Sequence, residues 1–211
     1  TTVTHALYPV VEHLKTPLLL ALLEKIDSES VLVFTRTKHR AKRIADKVKE
    51  AGHSSTSLQG NLSQNRRKAA LDSFREGKVH VLVATDIAAR GIDVSQISHV
   101  INYDITDTPE AYVHRIGRTG RAAKTGDAYT LVTSADDGMI KTIERKLGKS
   151  IERHTLEGFD YRSAPASTHG QHHTGPRAPQ TIAKHNAMAH LKPGAPGKSG
   201  RPFWRKRRRS R

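Results

Sequence analysis

Cysteine is absent from the 211-residue sequence, so disulfide bonds and thiolate metal sites are excluded. We therefore expect a reducing, cytoplasmic setting. Acidic residues are absent from residues 161–211, which hold 12 lysines and arginines. The other 24 basic residues and all 20 acidic residues lie in residues 1–160. The net charge of +16 therefore divides into a nearly balanced block of +4 and a strongly cationic tail.

Long apolar runs are also missing. The longest, residues 17–23, is too short to span a bilayer. The N-terminus does not show the pattern of a signal peptide, in which a basic region is followed by an apolar stretch and a cleavage site of small residues. We expect no membrane partner. The chain opens on Thr1 instead of methionine, as a fragment of a longer protein would.

Short apolar runs alternate with segments of helical periodicity through residues 1–161. Strands are predicted at residues 4–10 (at a sheet edge), 31–34, 54–58, 79–84, 99–103 and 128–132. Helices are predicted at residues 15–26, 37–51, 63–76, 109–116 and 135–147. This order favours an α/β fold with a mostly parallel, doubly wound sheet, in which ligands bind at the carboxyl ends of strands. Residues 162–211, rich in proline, glycine and histidine, are predicted to be a disordered basic tail.

The segment His114 to Arg121 reads HRIGRTGR and concentrates cations between two glycines. Arg118 and Arg121 are three residues apart, so on a helical turn their guanidinium groups would point the same way. Two such groups suit a polyphosphate. A solvated basic turn is the alternative interpretation.

The segment 84–93 reads ATDIAARGID and directly follows a predicted buried strand. Asp86 is expected to cap a short helix, with Thr85 offering a hydroxyl to a phosphate. Gly91 permits close approach of a ligand, and Asp93 could accept from a ribose hydroxyl. A purely structural strand-to-helix junction is the alternative.

Two weaker signals remain. Phe34, Thr35 and Arg36 end a predicted strand, and Gln64 and Arg67 lie on the first turn of a helix, where anions are favoured. Taken together, in this order and spacing, the four stretches resemble the second RecA-like domain of the DEAD-box family of superfamily 2 RNA helicases, with greatest similarity to bacterial RhlE-like members.

The resemblance implies a RecA-like three-layer sandwich and a set of site residues. The implied catalytic arginine fingers are Arg118 and Arg121; the ATP-binding residues are these two with Gly91 and Asp93; the RNA-binding residues are Thr35, Arg67 and Thr85; the residues coupling the two sites across the domain interface are Arg90, His114 and Arg115.

ATP and Mg²⁺ are the implied cofactors. The sequence contains no GxxxxGK[ST] phosphate loop and no DEAD string. We therefore expect the nucleotide and the metal to be held by an N-terminal RecA-like domain in cis, and this chain alone to be inactive. No metal site is predicted within the chain itself.

The tail carries aromatic rings among cations. Its predicted RNA-contacting residues are Trp204, Arg205, Lys206, Arg207, Arg208 and Arg209. A solubilising tail is the alternative. Two other functions for the whole chain remain open: an ATP-independent RNA-binding or annealing module, and a protein-interaction half that recruits ribosomal or RNA-decay partners. RNA readout is expected to be independent of sequence, through phosphates and 2′-hydroxyls.

Overall fold

Two inner strands, residues 31–34 and 81–84, are apolar at every position, and the computed structural model buries them on both faces, as expected for a parallel sheet covered by helices. The structure describes residues 3–26, 30–90, 97–119 and 126–165. The strands are β1 Val3–Pro9, β2 Val31–Phe34, β3 Ser55–Leu58, β4 Val81–Ala84, β5 His99–Asn102, β6 Gly126–Val132 and β7 Glu152–Arg153. The helices are α1 Lys15–Lys25, α2 Lys38–Glu50, α3 Gln64–Arg75, α4 Asp86–Ala89, α5 Pro109–Ile116 and α6 Asp137–Leu147.

The seven strands form one sheet in the order β3-β4-β2-β5-β6-β1-β7, and every pairing between them is parallel. Alternate residues of each strand point to opposite faces. Val31 and Val33 join a core beneath α1 and α2, while Leu32 and Phe34 join a second core beneath α3 and α4. The predicted doubly wound α/β sheet is therefore confirmed.

Helix boundaries follow local chemistry. The Thr37 hydroxyl accepts from the Arg40 amide at 3.2 Å at the start of α2, and the Thr108 hydroxyl accepts from the Ala111 amide at 3.2 Å ahead of α5. Gly148 ends α6 in the left-handed region at φ 67°. The predicted helices at 15–26, 37–51, 63–76 and 109–116 are confirmed to within one residue.

Three sequence expectations need correction. Strand β1 is not at an edge, because it pairs with β6 on one side and with β7 on the other. The helix expected at residue 135 begins at Asp137, after a 3-10 turn that Thr133 and Asp136 stabilise through reciprocal capping bonds. Strand β7 was not predicted, since its two exposed residues carry no apolar pattern.

Helix α5 is anchored to the sheet by Tyr112, whose side chain is fully buried. Its hydroxyl lies 3.2 Å from Nδ1 of His5 on β1, and burial raises the pKa of Tyr112 to about 12. This contact fixes the helix that carries His114 and Arg115.

Within the described ranges, no helix is long and apolar enough to cross a membrane.

The boundary at residue 161 stays a prediction. Leu156, Phe159 and Tyr161 pack against the core beneath α1, and the described chain continues to residue 165.

Replacing Leu32 with alanine should lower the free energy of unfolding by about 3 kcal/mol, because the side chain is fully buried in the central strand and leaves a cavity. Urea unfolding followed by circular dichroism measures the change. Val11→Ala is the matched control, because half of the Val11 surface is exposed (50%). Equal losses for the two variants would contradict the burial assigned to β2.

Candidate functional site

The carboxyl ends of β2, β4 and β5 meet at one edge of the sheet, which we call the carboxyl edge. Thr35 follows β2, and its amide donates to the Ala84 carbonyl at 2.9 Å. Tyr103 follows β5, and its amide donates to the Phe34 carbonyl at 3.0 Å. Thr85 follows β4 at the same edge. The predicted motifs therefore come together where a parallel sheet binds ligands.

Arg115 on α5 is buried at 3% exposure and directs its guanidinium group into the domain. Nε and Nη2 each donate to the Asp86 carboxylate at 2.6 Å. Nη1 donates to Oδ1 of Asn102 at 3.1 Å and to the Asp104 carbonyl at 2.7 Å. The guanidinium carbon lies 4.9 Å from the centre of the Phe34 ring. Arg115 thus joins α5 to α4, β5 and β2.

Asp86 does not cap α4 with its side chain, contrary to the sequence expectation. Thr85 is the residue that precedes the helix, and Asp86 lies in its first turn. The Asp86 carboxylate turns to Arg115 because a bidentate ion pair with a buried guanidinium outweighs a single backbone bond. The side chain of Asp86 remains 44% exposed, so water still solvates one side of the pair.

Four predicted residues share one cleft of about 280 Å³ at the carboxyl edge. The cleft is lined by Phe34, Asp86, Ala89, Arg90, Ala111, His114, Arg115 and Arg118. Arg90 and His114 are exposed and Arg118 is half-buried. Three arginines and one aspartate line the cleft, so the formal charge of its lining is positive, which suits an anionic ligand such as a phosphate. Gly91, Asp93 and Arg121 lie outside the described residues.

Arg118 does not lie on a helix, and the helical spacing expected between it and Arg121 falls outside the described residues. Helix α5 ends at Ile116, and Arg118 lies in the turn that follows. The Arg118 amide donates to the Arg115 carbonyl at 3.1 Å. Thr119, which sequence reasoning missed, holds this turn. Its buried hydroxyl lies 2.7 Å from the Ile97 carbonyl and 2.9 Å from the Ser98 carbonyl.

Arg67 uses its guanidinium group to hold the end of α4. Nη2 donates to the Ala88 carbonyl at 2.6 Å and lies 3.4 Å from the Arg90 carbonyl. These carbonyls are the acceptors that a helix leaves unpaired at its C-terminus. Arg67 is half-buried, so it reaches α4 while keeping part of its surface at the carboxyl edge.

The two threonines predicted to bind RNA differ in accessibility. Thr35 is fully buried, and its hydroxyl lies 3.3 Å from the Thr37 carbonyl, so it offers no surface to RNA in this conformation. Its position directly after β2, between neighbouring strands, accounts for this burial. The RNA-binding role expected of Thr35 stays a prediction. Thr85 is half-buried at the carboxyl edge.

Asp104 is a further residue of this edge that sequence reasoning missed. It is 3% exposed, accepts from the Arg36 amide at 2.8 Å and forms an ion pair with Arg40. Burial alone lowers the pKa of Arg40, but Asp104 outweighs burial and the pKa lies above its ordinary value. The available signal was an acidic residue directly after a predicted strand.

A larger cavity, of about 780 Å³, lies at the ends of β1 and β6 between Val11, Ile140 and Tyr161. None of the predicted site residues lines it. Four predicted site residues therefore line the smaller cleft and none of them lines the larger cavity. Among the described residues, no group of three or more histidine and acidic side chains could hold a metal ion.

A family model described as the helicase conserved C-terminal domain matches residues 14–123, and the chain belongs to this family. The chain is 46% identical over 142 residues to the DEAD-box ATP-dependent RNA helicase CshA of Geobacillus kaustophilus, covering 67% of this chain and 30% of the relative. It is 48% identical over 142 residues to the RNA helicase CrhR of Synechocystis sp., covering 67% and 29%.

Solved structures agree with these sequence relatives. The E. coli DEAD-box protein SrmB, bound to regulator of ribonuclease activity A, matches with a TM-score of 0.73 at 34% identity, over 79% of this chain and 99% of that chain. S. cerevisiae Dbp5 bound to RNA and ADP BeF3 matches with a TM-score of 0.68 at 31% identity, over 72% and 41%.

These matches define a C-terminal RecA-like domain of the DEAD-box type. The chain spans less than a third of the length of the two curated relatives, at 30% and 29%. The narrower similarity to RhlE-like members stays a prediction.

Replacing Asp86 with asparagine should lower the free energy of unfolding by about 2 kcal/mol, because the buried Arg115 loses its charged partner while water reaches part of the site. Urea unfolding measures the loss. Asp107→Asn is the control, since Asp107 forms an exposed pair with Arg36 at 3.6 Å and should change stability by less than about 0.5 kcal/mol. A loss no larger than that of the control would contradict the clamp.

Proposed function

We propose that the chain is the C-terminal half of an ATP-dependent RNA helicase and completes an ATP site held mainly by a preceding N-terminal domain. The observation that carries this proposal is the gathering of Arg90, His114 and Arg118 around one cationic cleft at the carboxyl edge. The positive charge of this cleft matches the negative charge of the ATP phosphates.

Arg118 acts as an arginine finger in this proposal. Its guanidinium group stabilises the negative charge that develops on the γ-phosphate oxygens during hydrolysis. Arg115 holds α5 against Asp86, so the turn that carries Arg118 keeps its position. ATP supplies the bond that is hydrolysed. Mg²⁺, which the preceding domain would hold, would neutralise part of the charge of ATP when bound. Arg121 is the second proposed finger, with Gly91 and Asp93 on the ribose side.

RNA binds at the carboxyl edge beside the cleft in this proposal. Thr85 offers a hydroxyl to the backbone, and Arg67 adds a cation that also holds the end of α4. Arg90 and His114 then face both the nucleotide and the preceding domain, which suits the coupling role expected of them. Dbp5, a relative in structure, is bound to both RNA and ADP BeF3. These contacts involve the RNA backbone, so binding is independent of sequence.

A protein-recruiting role is the second candidate. Two relatives in structure carry protein partners: SrmB is bound to regulator of ribonuclease activity A, and Dbp5 is bound to Gle1. RNA-decay or ribosomal partners of this chain would fit that pattern. An ATP-independent RNA-annealing module has less support, because Asp93, Arg118 and Arg121 have no purpose in simple RNA binding.

Arg118→Ala, made in the chain joined to its N-terminal domain, should reduce RNA-stimulated ATP turnover by about 1,000-fold, the range found for arginine fingers. Affinity for RNA should stay within about twofold, since the substitution leaves Arg67 and Thr85 intact. A phosphate-release assay and fluorescence anisotropy measure the two quantities. Arg145→Ala, on the exposed surface of α6, is the control. Turnover close to that of the control would refute the arginine-finger role.

Removing residues 166–211, which include the proposed RNA-contacting segment Trp204 to Arg209, should weaken RNA binding at least about tenfold at 0.1 M salt. The dependence of affinity on salt should also become shallower, because fewer phosphates release counterions. Anisotropy titrations at several salt concentrations measure both effects. An unchanged affinity would favour a solubilising tail.

A further inference from the structure

Helix α2 carries an unusual share of the positive charge. It holds six lysines and arginines against two acidic residues, a net charge of +4. This equals the net charge of residues 1–160 taken together. The predicted ATP and RNA residues do not include any residue of α2, so its charge calls for a separate explanation.

Three lysines of α2 lie along one side of the helix. Lys38, Lys42 and Lys49 are separated by four and seven residues, which places their side chains within about 40° of one another around the axis. All three are exposed, while Ile44 and Val48 pack into the core on another side. We call this set the lysine row; it extends for roughly 16 Å at 1.5 Å per residue.

Protein carboxylates neutralise little of the lysine row. Lys42 pairs with Asp46 at 2.6 Å, whereas Lys38 donates to the neutral amide oxygen of Asn61 at 3.1 Å. Lys49 has no ion-pair partner among the described residues, and the neighbouring Arg43 has none there either. The row therefore keeps a net positive charge that faces solvent.

The lysine row begins at the carboxyl edge and descends along the outside of the sheet. Lys38 is the first residue of α2, three residues after Thr35 at the end of β2. Its bond to Asn61, just beyond β3, places the row on the side of α2 that faces β3, the strand at one end of the sheet. An RNA strand leaving the carboxyl edge on this side would meet the row without a sharp turn.

The surroundings of the row suit nucleic acid better than protein. Protein partners are held mainly by buried aromatic or apolar anchors. The exposed large apolar residues of the described chain are Val11, Ile87 and Val113, and they lie outside α2 and β3. Strand β3 adds only serine and threonine side chains before Leu58. Mobile ammonium groups on a helix are typical contacts to phosphates.

We propose that the lysine row is an auxiliary RNA surface, which binds the phosphate backbone of RNA that extends beyond the carboxyl edge. The proposal rests on the proposed RNA helicase function and adds a second, separate contact to it. The contact is electrostatic and independent of sequence, and it requires RNA long enough to reach from the carboxyl edge to Lys49.

The test compares two triple variants of the full chain. Lys38→Gln/Lys42→Gln/Lys49→Gln removes the row, and Lys141→Gln/Arg145→Gln/Lys146→Gln removes three cations from the exposed side of α6. The variants are matched: both lose three charges, and each breaks one ion pair, Lys42–Asp46 at 2.6 Å or Lys146–Glu110 at 3.1 Å. Equal thermal midpoints establish that both are folded.

Binding is measured by anisotropy with a short and a long fluorescent oligouridylate at several salt concentrations. The lysine-row variant should bind the long RNA about tenfold more weakly at 0.1 M salt, with a salt slope shallower by about 2, as expected for three lost contacts. Its affinity for the short RNA should equal that of the α6 variant. Equal affinity of the two variants for the long RNA would overturn the proposal.

Two other outcomes separate this proposal from the proposed function. Polyglutamate, tested in parallel, represents an acidic protein. If the lysine-row variant bound polyglutamate more weakly but bound long RNA as tightly as the unsubstituted chain, the row would be a surface for acidic proteins and the RNA assignment would be wrong. If the unsubstituted chain bound neither RNA, the RNA function itself would fail together with the row. ATP turnover of the joined protein on short RNA should not change in the lysine-row variant, unlike in Arg118→Ala.

Discussion

The buried guanidinium group of Arg115 is the interaction on which the carboxyl edge depends. A charge at 3% exposure is costly unless each of its donors finds an acceptor. Here the acceptors come from Asp86, Asn102 and the Asp104 carbonyl. Because these acceptors belong to different elements, satisfying one side chain fixes α5, α4 and β5 relative to one another. A buried ion pair is weak evidence of net stability, so we assign to it mainly the specification of geometry.

Helix α4 shows what this constraint accomplishes. A helix of four residues has almost no stability of its own, because nucleation fixes several residues for one hydrogen bond. Arg115 holds its first turn through Asp86, and Arg67 holds its last carbonyls. The two arginines come from α5 and α3. The conformation of α4 therefore depends on both arginines, and a displacement of α3 or α5 would move α4 as well. This arrangement provides a physical route between the proposed RNA contacts and the cleft.

The sequence predicted the strands and helix boundaries well because their signals are local. Segments such as 31–34 are apolar at every residue, and Thr37 and Thr108 cap helices through bonds only three residues long. The gathering of motifs at the carboxyl edge followed from the parallel order of the strands. The orientation of side chains could not be predicted in this way. Whether Arg115 points inward depends on Asp86, 29 residues away, and whether Thr35 is accessible depends on strands on either side.

The same distinction explains why counting charges misleads. Arg115 and Arg67 contribute to the formal charge of the domain, yet both guanidinium groups serve as internal braces. Arginine suits that role because its rigid, planar donors match fixed acceptors. Lysine, a mobile point charge, is easier to keep solvated, and α2 places three lysines on one exposed side. The cations most available to an RNA backbone are therefore not all among those that the motifs make conspicuous. Their availability is decided by burial and by carboxylate partners, which only the folded chain defines.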